Sequence, residues 1–332
     1  MEGLAMKWQD AVDLDRPFTL LPPLLGIVSG AVCAFGSAHN PDPERRLTLA
    51  VVVTIVLGSL CAACLNAASN TLNQIADLEA DRVNKPKRPI PSGRVTIPQA
   101  WRLALVLYVL GTVPVWLVVP YPAVTFLDRL RAPLGQHAVL FLYLGAALAT
   151  WVYSWPAFGR TKRFGIWANV TIAIPRGVWL KVAGWGMVAS VWHAEAWWIG
   201  LIFGLFLLGA SSTKDFSDMA GDAASGVYTL PVKYGVHKAA WMIAPSFVFP
   251  WLLMPLGTVL RDPGNPDLPL LTGNAPVLVA LGLFLTAWGI YTCRLLLRDP
   301  AALATTENHP SWTHMYLMMM TAQIGFAVAY VL

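Results

Sequence analysis

The chain has 332 residues, of which 56% are hydrophobic and only 12% are charged. Soluble globular domains carry about 25% charged residues, so this composition excludes a soluble globule and indicates a membrane protein. The net charge of +5 comes from basic residues in the loops between apolar segments. Because no basic surface exists apart from those loops, nucleic acid is excluded as a partner.

Apolar segments of about 20 residues, each long enough to cross a hydrocarbon core of ~30 Å, recur along the whole sequence. We predict nine membrane spans, at residues 19–37, 48–70, 100–120, 138–156, 166–189, 195–212, 239–258, 276–296 and 313–332. The expected fold is therefore an all-α, multi-pass integral membrane protein of about nine transmembrane helices, with a single transmembrane domain over residues 1–332.

An acidic motif follows the second predicted span. Asn73, Asp77 and Asp81 are spaced four residues apart, so a continuous helix would place the three side chains within about 80° of one another. We predict that this first acidic motif, residues 73–81, presents oxygen atoms from one helix face, and that a loop over residues 82–99 follows it.

The fifth predicted span contains two basic side chains and an amide. Arg176 lies about ten residues, or ~15 Å, from one end of this span, at a depth where a charge that faces lipid is costly. We therefore expect Arg176 to face the bundle interior with Asn169, and the two could bind a polar group or a carboxylate. The alternative is a structural hydrogen bond to the carbonyl groups of a neighbouring span. Lys181 lies on another face and is expected to extend toward the outer surface.

A second acidic motif follows the sixth predicted span. Asp215, Asp218 and Asp222 are three and four residues apart, so in a helix they would fall within roughly 60° of one another. This second acidic motif, residues 215–222, precedes a predicted loop over residues 223–238.

Both acidic motifs lie on the same side of the predicted bundle and require cations. Neighbouring carboxylates repel one another, and partial burial at a membrane surface increases that repulsion. Mg²⁺ prefers oxygen ligands and keeps coordination sites open for phosphate oxygens. We therefore predict a Mg²⁺ cofactor with ligands from both motifs: Asn73, Asp77, Asp81, Asp215, Asp218 and Asp222. The alternative is that each motif is a solvated acidic end of a span.

Basic residues surround both motifs, which suggests an anionic ligand held through bridging metal ions. We assign Arg88, Lys162 and Lys214 to that ligand. The alternative is topological, because sixteen of the 23 lysines and arginines fall on the side of the predicted bundle that carries the motifs. By the positive-inside rule, that side faces the cytoplasm or its organellar equivalent.

The motifs together resemble the UbiA superfamily of intramembrane prenyltransferases. The resemblance covers nearly the whole chain and depends on RPFTLLPPLLGIVSG, the NxxxDxxxD at Asn73, NKPKRPIPSGR, YSWPAFGRTKRFG, and KDFSDMAGD with TLPVKYG. It implies a helical bundle around a central cavity and Mg²⁺-dependent prenyl transfer from an isoprenyl diphosphate to a lipophilic acceptor. Arg88, Lys162 and Lys214 would then help to bind the diphosphate.

If the reaction is prenyl transfer, residues singled out above take roles at the acceptor side. Asn169 and Arg176 would bind the acceptor, and Asp77 and Asp81 would be catalytic, because a carboxylate of the first motif could take the proton that the acceptor loses. The apolar tail of the donor would lie among the spans or in the surrounding membrane lipid.

The acceptor differs among branches of the superfamily. NQIADLEADRVNKP is similar to the homogentisate prenyltransferases of tocopherol and plastoquinone synthesis, whereas RPIPSGRV and TLPVKYG are similar to chlorophyll synthases and archaeal-type geranylgeranylglyceryl phosphate transferases. We expect an aromatic quinone or tocopherol-type precursor, or a chlorophyllide-like alcohol acceptor. The alternatives are ether-lipid prenyl transfer, a terpene cyclase of the same fold, and a membrane transporter, although a transporter would keep its coupling acids near the bilayer midplane.

Overall fold

Seven helical segments among the described residues are long and apolar enough to cross a membrane. They are Pro17–Gly36, Leu49–Ala76, Ile97–Leu117, Ala194–Lys214, Val236–Val259, Ala275–Arg298 and Pro310–Val331. The structure is a computed structural model that describes residues 6–120, 125–306 and 309–332. A shorter apolar helix, Ala138–Ser154, and a helical segment over residues 166–185 lie at the fourth and fifth predicted spans. The predicted all-α membrane fold of about nine spans is confirmed.

The helices and strands have the following bounds. In chain order they are α1 (Trp8–Asp15), α2 (Leu21–Gly36), α3 (Leu49–Ala76), α4 (Leu78–Asn84), α5 (Ile97–Thr112), α6 (Phe126–Arg131), α7 (Ala138–Ser154), α8 (Ile166–Ala173), α9 (Leu180–Trp185), α10 (Ala194–Ala210), α11 (Met219–Ala224), α12 (Leu230–Tyr234), α13 (Val236–Ile243), α14 (Phe249–Val259), α15 (Ala275–Arg298), α16 (Pro300–Thr305) and α17 (Pro310–Val331). A short antiparallel hairpin, β1 (Arg261–Asp262) and β2 (Asn265–Pro269), lies between α14 and α15.

The fifth spanning segment is widened at its centre. A π-helical turn, Ile174–Trp179, connects α8 to α9 and has Pro175 near its start. Proline has no backbone N–H, so the regular hydrogen-bond ladder cannot continue through this position. Turns of this kind frequently interrupt α-helices at functional sites, and here the turn carries Arg176.

Glycines allow the widened segment to pack closely against α10. A Cβ atom at Gly177 would lie 2.5 Å from the Cα of Gly204, which is closer than real Cβ contacts allow. Gly200 stands one turn away on the same helix, against Val178. Small residues four apart are typical of close helix crossings in membranes, where backbone packing contributes most of the attraction.

The main core of the bundle includes large aromatic side chains, and a lysine lies against one of them. Trp185, Trp251, Phe203 and Phe206 are almost fully buried. Lys181 is only 2% exposed, and its Nζ lies 4.1 Å from the centroid of the Phe203 ring. The prediction that Lys181 extends toward the outer surface is therefore wrong, because its helix face turns inward against α10.

Two asparagines of α3 hold the segment between α1 and α2. Asn66 Nδ2 donates to the carbonyl oxygen of Thr19 (2.9 Å), and Asn70 Nδ2 donates to that of Asp15 (2.8 Å). Arg16 lies inside this segment in the left-handed region, at φ 51°. The backbone between α1 and α2 is thereby fixed to the bundle, and so is the direction of the Arg16 side chain.

A second, smaller apolar cluster lies next to the first acidic motif. It consists of Leu14 of α1, Ile75 of α3, Ile90 and Val95 of the loop between α4 and α5, and Ala100 of α5. These contacts fix the loop between α4 and α5, which carries Lys85 and Arg88, against the end of the bundle.

Candidate functional site

The two acidic motifs meet at one end of the bundle, here called the acidic end. Helix α11 packs against α4. Lys85, just after α4, places its Nζ 2.8 Å from an Oδ2 of Asp218, at the start of α11. The charge of Asp77 also acts on Asp222, although 145 residues separate them in the chain. Motifs from two spans thus form one electrostatic site.

The first motif is not the single helix that its spacing predicts. Helix α3 ends at Ala76, Asp77 has φ −103° and ψ 13°, and α4 begins at Leu78. The prediction of one continuous helix is therefore wrong, but Asn73 and Asp77 still share a face, because Lys162 Nζ donates to both side chains. The Asp77 carboxylate contacts Arg160 of the loop between α7 and α8, while Asp81 is buried in α4.

The second motif is also only partly helical. Lys214 ends a 3₁₀ turn, Asp215 follows it, and Asp218 occupies the N-cap position of α11. Of the three carboxylates, that of Asp222 alone belongs to α11. The three residues therefore do not share one helix, because only Asp222 lies within α11, but they remain close enough for the charges of Asp215 and Asp218 to act on Asp222.

Basic side chains hold the carboxylates of the first motif. Lys162 Nζ donates to Asn73 Oδ1 (3.1 Å) and to Asp77, and its residue is only 4% exposed. Arg160 Nη2 lies 2.9 Å from Asp77, and Arg88 pairs with Asp81. Two predicted diphosphate ligands, Lys162 and Arg88, thus contact the predicted metal ligands directly.

Lys214 takes a different position from the other two predicted basic ligands. Its Nζ lies 5.1 Å above the ring of Trp312, and the residue lines the central cavity. A cation held above an indole ring can still turn toward an anion at the cavity mouth.

The site offers the oxygen atoms that Mg²⁺ requires, but not a preassembled coordination sphere. Among the described residues, no three carboxylate, imidazole or thiolate groups are close enough to hold a metal ion together. Burial, followed by the charges of Asp215, Asp218 and Asp77, raises the pKa of Asp222 to about 7. Burial is also the main reason that the pKa of Asp215 is raised to about 6. Crowded carboxylates of this kind fit a divalent cation, which would neutralise them.

A cavity of about 310 Å³ opens from the acidic end into the bundle. Polar side chains, among them Asn73 and Lys214, line part of it. Much of the remaining wall is apolar, with Ile27, Leu142 and Leu180 as examples. A polar mouth and an apolar interior suit an amphiphilic ligand whose charged head stays near the acidic end.

The two residues assigned to an acceptor differ in position. Arg176 lines the cavity, whereas Asn169 is not among its lining residues. Asn169 Nδ2 instead donates to the carbonyl oxygen of Leu208 (2.6 Å) and to Ser212 Oγ (2.8 Å). These bonds fasten α8 to α10, which is the structural alternative stated for this residue; binding of an acceptor by Asn169 stays a prediction.

Two further basic residues belong to the site and were not singled out from the sequence. Arg160 contacts Asp77, and Arg16 lines the cavity with a buried Nη2 atom that has no hydrogen-bond partner. Arg16 stands in a turn, where no helical periodicity marks a functional face. The signal that could have identified it is an isolated basic residue immediately before the first apolar segment.

The fold and the site together define an all-α membrane protein with carboxylates and basic residues at one mouth of a lipophilic cavity. The sequence model of the UbiA prenyltransferase family matches residues 23–320. The chain therefore belongs to the UbiA prenyltransferase family, and it is a multi-pass membrane prenyltransferase.

The relatives of the chain include synthases of two kinds. It is 29% identical to the bacteriochlorophyll synthase 33 kDa chain of Cereibacter sphaeroides, over 96% of this chain and 92% of that one. It is 30% identical to the digeranylgeranylglyceryl phosphate synthase of Methanopyrus kandleri, over 81% and 85%. Its fold is similar to that of a UbiA homolog from Archaeoglobus fulgidus bound to GPP and Mg²⁺, with a TM-score of 0.64, 18% identity and coverage of 96% and 99%.

Proposed function

We propose that the protein uses Mg²⁺ to transfer the isoprenyl group of a prenyl diphosphate to a lipophilic acceptor. The observation that carries this proposal is the meeting of both acidic motifs at the end of the bundle where Asn73 and Lys214 line the cavity, and where Lys85, from the loop after the first motif, pairs with Asp218 of the second. A diphosphate at the acidic end would leave its apolar chain inside the bundle or among lipids.

The residues of the acidic end fit the departure of a diphosphate. Asn73, Asp77, Asp81, Asp215, Asp218 and Asp222 are the proposed metal ligands. Bound Mg²⁺ would neutralise the negative charge that develops on the leaving group. Lys162, Arg88 and Lys214 carry positive charge at the same mouth and would bind the phosphate oxygens.

The reaction exchanges one bond of the prenyl C1 atom for another. The bond from C1 to the bridging oxygen breaks, and both electrons leave with pyrophosphate. A nucleophilic oxygen or carbon of the acceptor then bonds to C1 and loses a proton, which Asp77 or Asp81 accepts. The apolar wall of the cavity excludes the water that would otherwise capture the allylic cation.

The names of the relatives favour two acceptor classes over a quinone precursor. The bacteriochlorophyll synthase chain suggests a chlorophyllide-like acceptor, and the archaeal relative suggests a geranylgeranylglyceryl phosphate type. Most lysines and arginines of the loops lie on the predicted side of the bundle that carries the acidic motifs. The positive-inside rule would therefore place the acidic end at the cytoplasm or its organellar equivalent.

The proposal is tested with purified protein in lipid nanodiscs and a labelled prenyl diphosphate. We expect Mg²⁺-dependent release of pyrophosphate and a prenylated product that appears only when an acceptor is added. A labelled cyclic hydrocarbon formed without acceptor would instead indicate a terpene cyclase. Uptake of label into sealed vesicles without bond cleavage would indicate a transporter.

A further inference from the structure

A surface of exposed basic and aromatic side chains lies at the acidic end, where the fifth and seventh spans begin. The fifth spanning segment begins at Ile166 and the seventh at Val236. We call this surface the basic aromatic patch, and its members are Arg163, Phe164, Tyr228, Lys233, Tyr234, Lys238 and Trp241. None of these residues has a role in the proposed reaction.

Backbone contacts join the two halves of the patch. Phe164 pairs with Tyr228 in an isolated bridge, and the Tyr228 N–H donates to the carbonyl oxygen of Arg163 (3.4 Å). The Arg163 Nε atom donates to the carbonyl oxygen of Gly226 (3.1 Å). The residues therefore form one surface, although 63 residues separate Arg163 from Gly226 in the chain.

Two lysines of the patch are gathered around one ring. Lys233 Nζ lies 5.2 Å from the centroid of the Tyr234 ring, and Lys238 Nζ lies 5.3 Å from it. The Lys233 side chain also runs past Gly165, where a Cβ atom would lie 3.6 Å from the lysine Cδ atom. These contacts concentrate positive charge on a small area beside the two spans.

The patch has no acidic side chain of its own to balance this charge. Residues 160–167 and 226–241, which carry the patch, contain no aspartate or glutamate. Among the described residues, no carboxylate forms an ion pair with Arg163, Lys233 or Lys238. The neighbouring cations that face the acidic motifs are, by contrast, paired with aspartates. The patch can therefore accept an anion from outside the chain.

Exposed tryptophans place the patch at the surface of the membrane. Trp241, about one turn beyond Lys238 in α13, is 66% exposed, and Trp167, in the first turn of α8, is 61% exposed. Tryptophans on the outer faces of spans are enriched where hydrocarbon meets the headgroups. Acyl chains can therefore lie against the spans while a phosphate stays beside the lysines. Clusters of basic residues at the ends of spans bind anionic headgroups in this way.

We propose that the basic aromatic patch binds the headgroup of an anionic phospholipid. The phosphate would lie between Lys233 and Lys238, and the acyl chains would follow the faces that carry Trp167 and Trp241. A soluble phosphate ester lacks these chains and would bind weakly. This site is independent of the proposed prenyl transfer, since none of its residues lines the cavity.

The test titrates the purified full-length protein in detergent with dioleoyl phosphatidylglycerol or with zwitterionic dioleoyl phosphatidylcholine, and native mass spectrometry measures the bound lipid. We expect phosphatidylglycerol to bind more tightly. Lys233→Gln combined with Lys238→Gln should weaken phosphatidylglycerol about twenty-fivefold, since each cation near an anionic headgroup contributes about fivefold. The same variant should leave the binding of phosphatidylcholine unchanged.

A second pair of substitutions controls for the loss of two positive charges. Arg294→Gln combined with Arg298→Gln removes two exposed cations near the end of α15, and we expect the affinity for phosphatidylglycerol to change less than about twofold. Lys233→Arg combined with Lys238→Arg should keep the preference for the anionic lipid. Thermal unfolding of the glutamine variant in phosphatidylcholine nanodiscs should match that of the unmodified protein. If that variant does not fold, Lys238→Gln alone, with an expected loss of about fivefold, decides the question.

Three results would overturn the assignment. One is equal affinity for the two phospholipids. Another is a loss of phosphatidylglycerol binding in the lysine pair that is no larger than in the arginine pair, which would indicate general attraction between charges. The third is displacement of the lipid by sn-glycerol 1-phosphate at a similar concentration, which would indicate a site for soluble phosphate esters. Absence of Mg²⁺-dependent pyrophosphate release would count against prenyl transfer alone, because lipid binding is measured without substrate.

Discussion

At the scale of single residues, Asp77 connects metal binding with diphosphate binding, the two functions proposed for the acidic end. It breaks the helix between α3 and α4, and its carboxylate contacts Arg160 and Lys162. The same carboxylate is a proposed metal ligand. Its substitution should therefore affect metal use and diphosphate binding together.

We predict that Asp77→Asn lowers the turnover number by at least a hundredfold and raises the Mg²⁺ concentration needed for half-maximal rate. The amide keeps an acceptor oxygen for Lys162 but removes the charge that a metal ion requires, and metal ions supply several kcal/mol of stabilisation to such transition states. Single-turnover rates across a Mg²⁺ titration measure both effects.

Glu79→Gln is the matched control for Asp77→Asn. Its side chain is 82% exposed and pairs with Arg82, which is also exposed, so this ion pair contributes little. The metal-ligand role of Asp77 fails if both variants show the same rate as the unmodified protein.

At the scale of structural elements, the crossing of the fifth span and α10 sets the position of Arg176. A Cβ atom at Gly177 would meet backbone atoms of Gly204, which cannot rotate away as a side chain could. The two helices must therefore separate if position 177 carries a side chain.

We predict that Gly177→Ala lowers the free energy of unfolding by about 1–3 kcal/mol, the usual cost of overpacking. Displacement of the π-helical turn should also raise the acceptor KM. Thermal unfolding in detergent and steady-state kinetics measure the two effects. In Gly135→Ala, where the new methyl group meets no atom within 4 Å, neither quantity should change; an equal loss of stability in both variants would refute the crossing argument.

The acidic motifs also predict how magnesium use depends on pH. The raised pKa values of Asp215, about 6, and Asp222, about 7, mean that both carboxylates hold protons at acidic pH when no metal is bound. Metal binding needs the deprotonated forms, so protons compete with Mg²⁺. We expect the half-saturating Mg²⁺ concentration to fall about tenfold per pH unit from pH 6 to 7 and to level off above pH 8.

This dependence is measured at saturating prenyl diphosphate, with the donor KM followed at saturating Mg²⁺ as a control. Asp222→Asn removes the group with the higher pKa and should flatten the profile between pH 6 and 8. A half-saturating Mg²⁺ concentration that stays constant over this range in the unmodified protein would contradict the prediction.

At the scale of the whole molecule, the asymmetry of charge predicts which end faces the cytoplasm. Ser92 is exposed at the acidic end, and Asn265 is exposed in the hairpin between α14 and α15. The four native cysteines are buried or half-buried in the spans and should react weakly with polar reagents.

We expect a membrane-impermeant maleimide to label Ser92→Cys only in inverted vesicles and Asn265→Cys only in right-side-out vesicles. The unmodified chain serves as the background control. Labelling of Ser92→Cys from outside would reverse the proposed orientation while leaving the site geometry intact.

Sequence reasoning located the spans well, because hydrophobic length is a property of each segment alone. It also placed Arg176 inside the bundle, since a charge at that depth has few alternatives. It failed where tertiary contacts decide the backbone. The spacing of Asn73, Asp77 and Asp81 is compatible with one helix, and nothing in that spacing marks the interruption at Asp77. Arg16 carries no periodic signal, because Asn66 and Asn70 of another helix fix its turn.

The pairing of Lys85, Arg88 and Lys162 with carboxylates has a consequence for the order of events in a catalytic cycle. A bare metal ion that arrives first must displace these cations and leave them unneutralised near the membrane. A diphosphate that arrives with Mg²⁺ already bound supplies negative charge for the basic groups and a metal ion for the carboxylates at the same moment. The substrate-free enzyme should therefore bind free Mg²⁺ more weakly than the Mg²⁺ complex of the diphosphate. Departure of pyrophosphate should then let the two lysines and the arginine pair with the aspartates again before the next substrate binds.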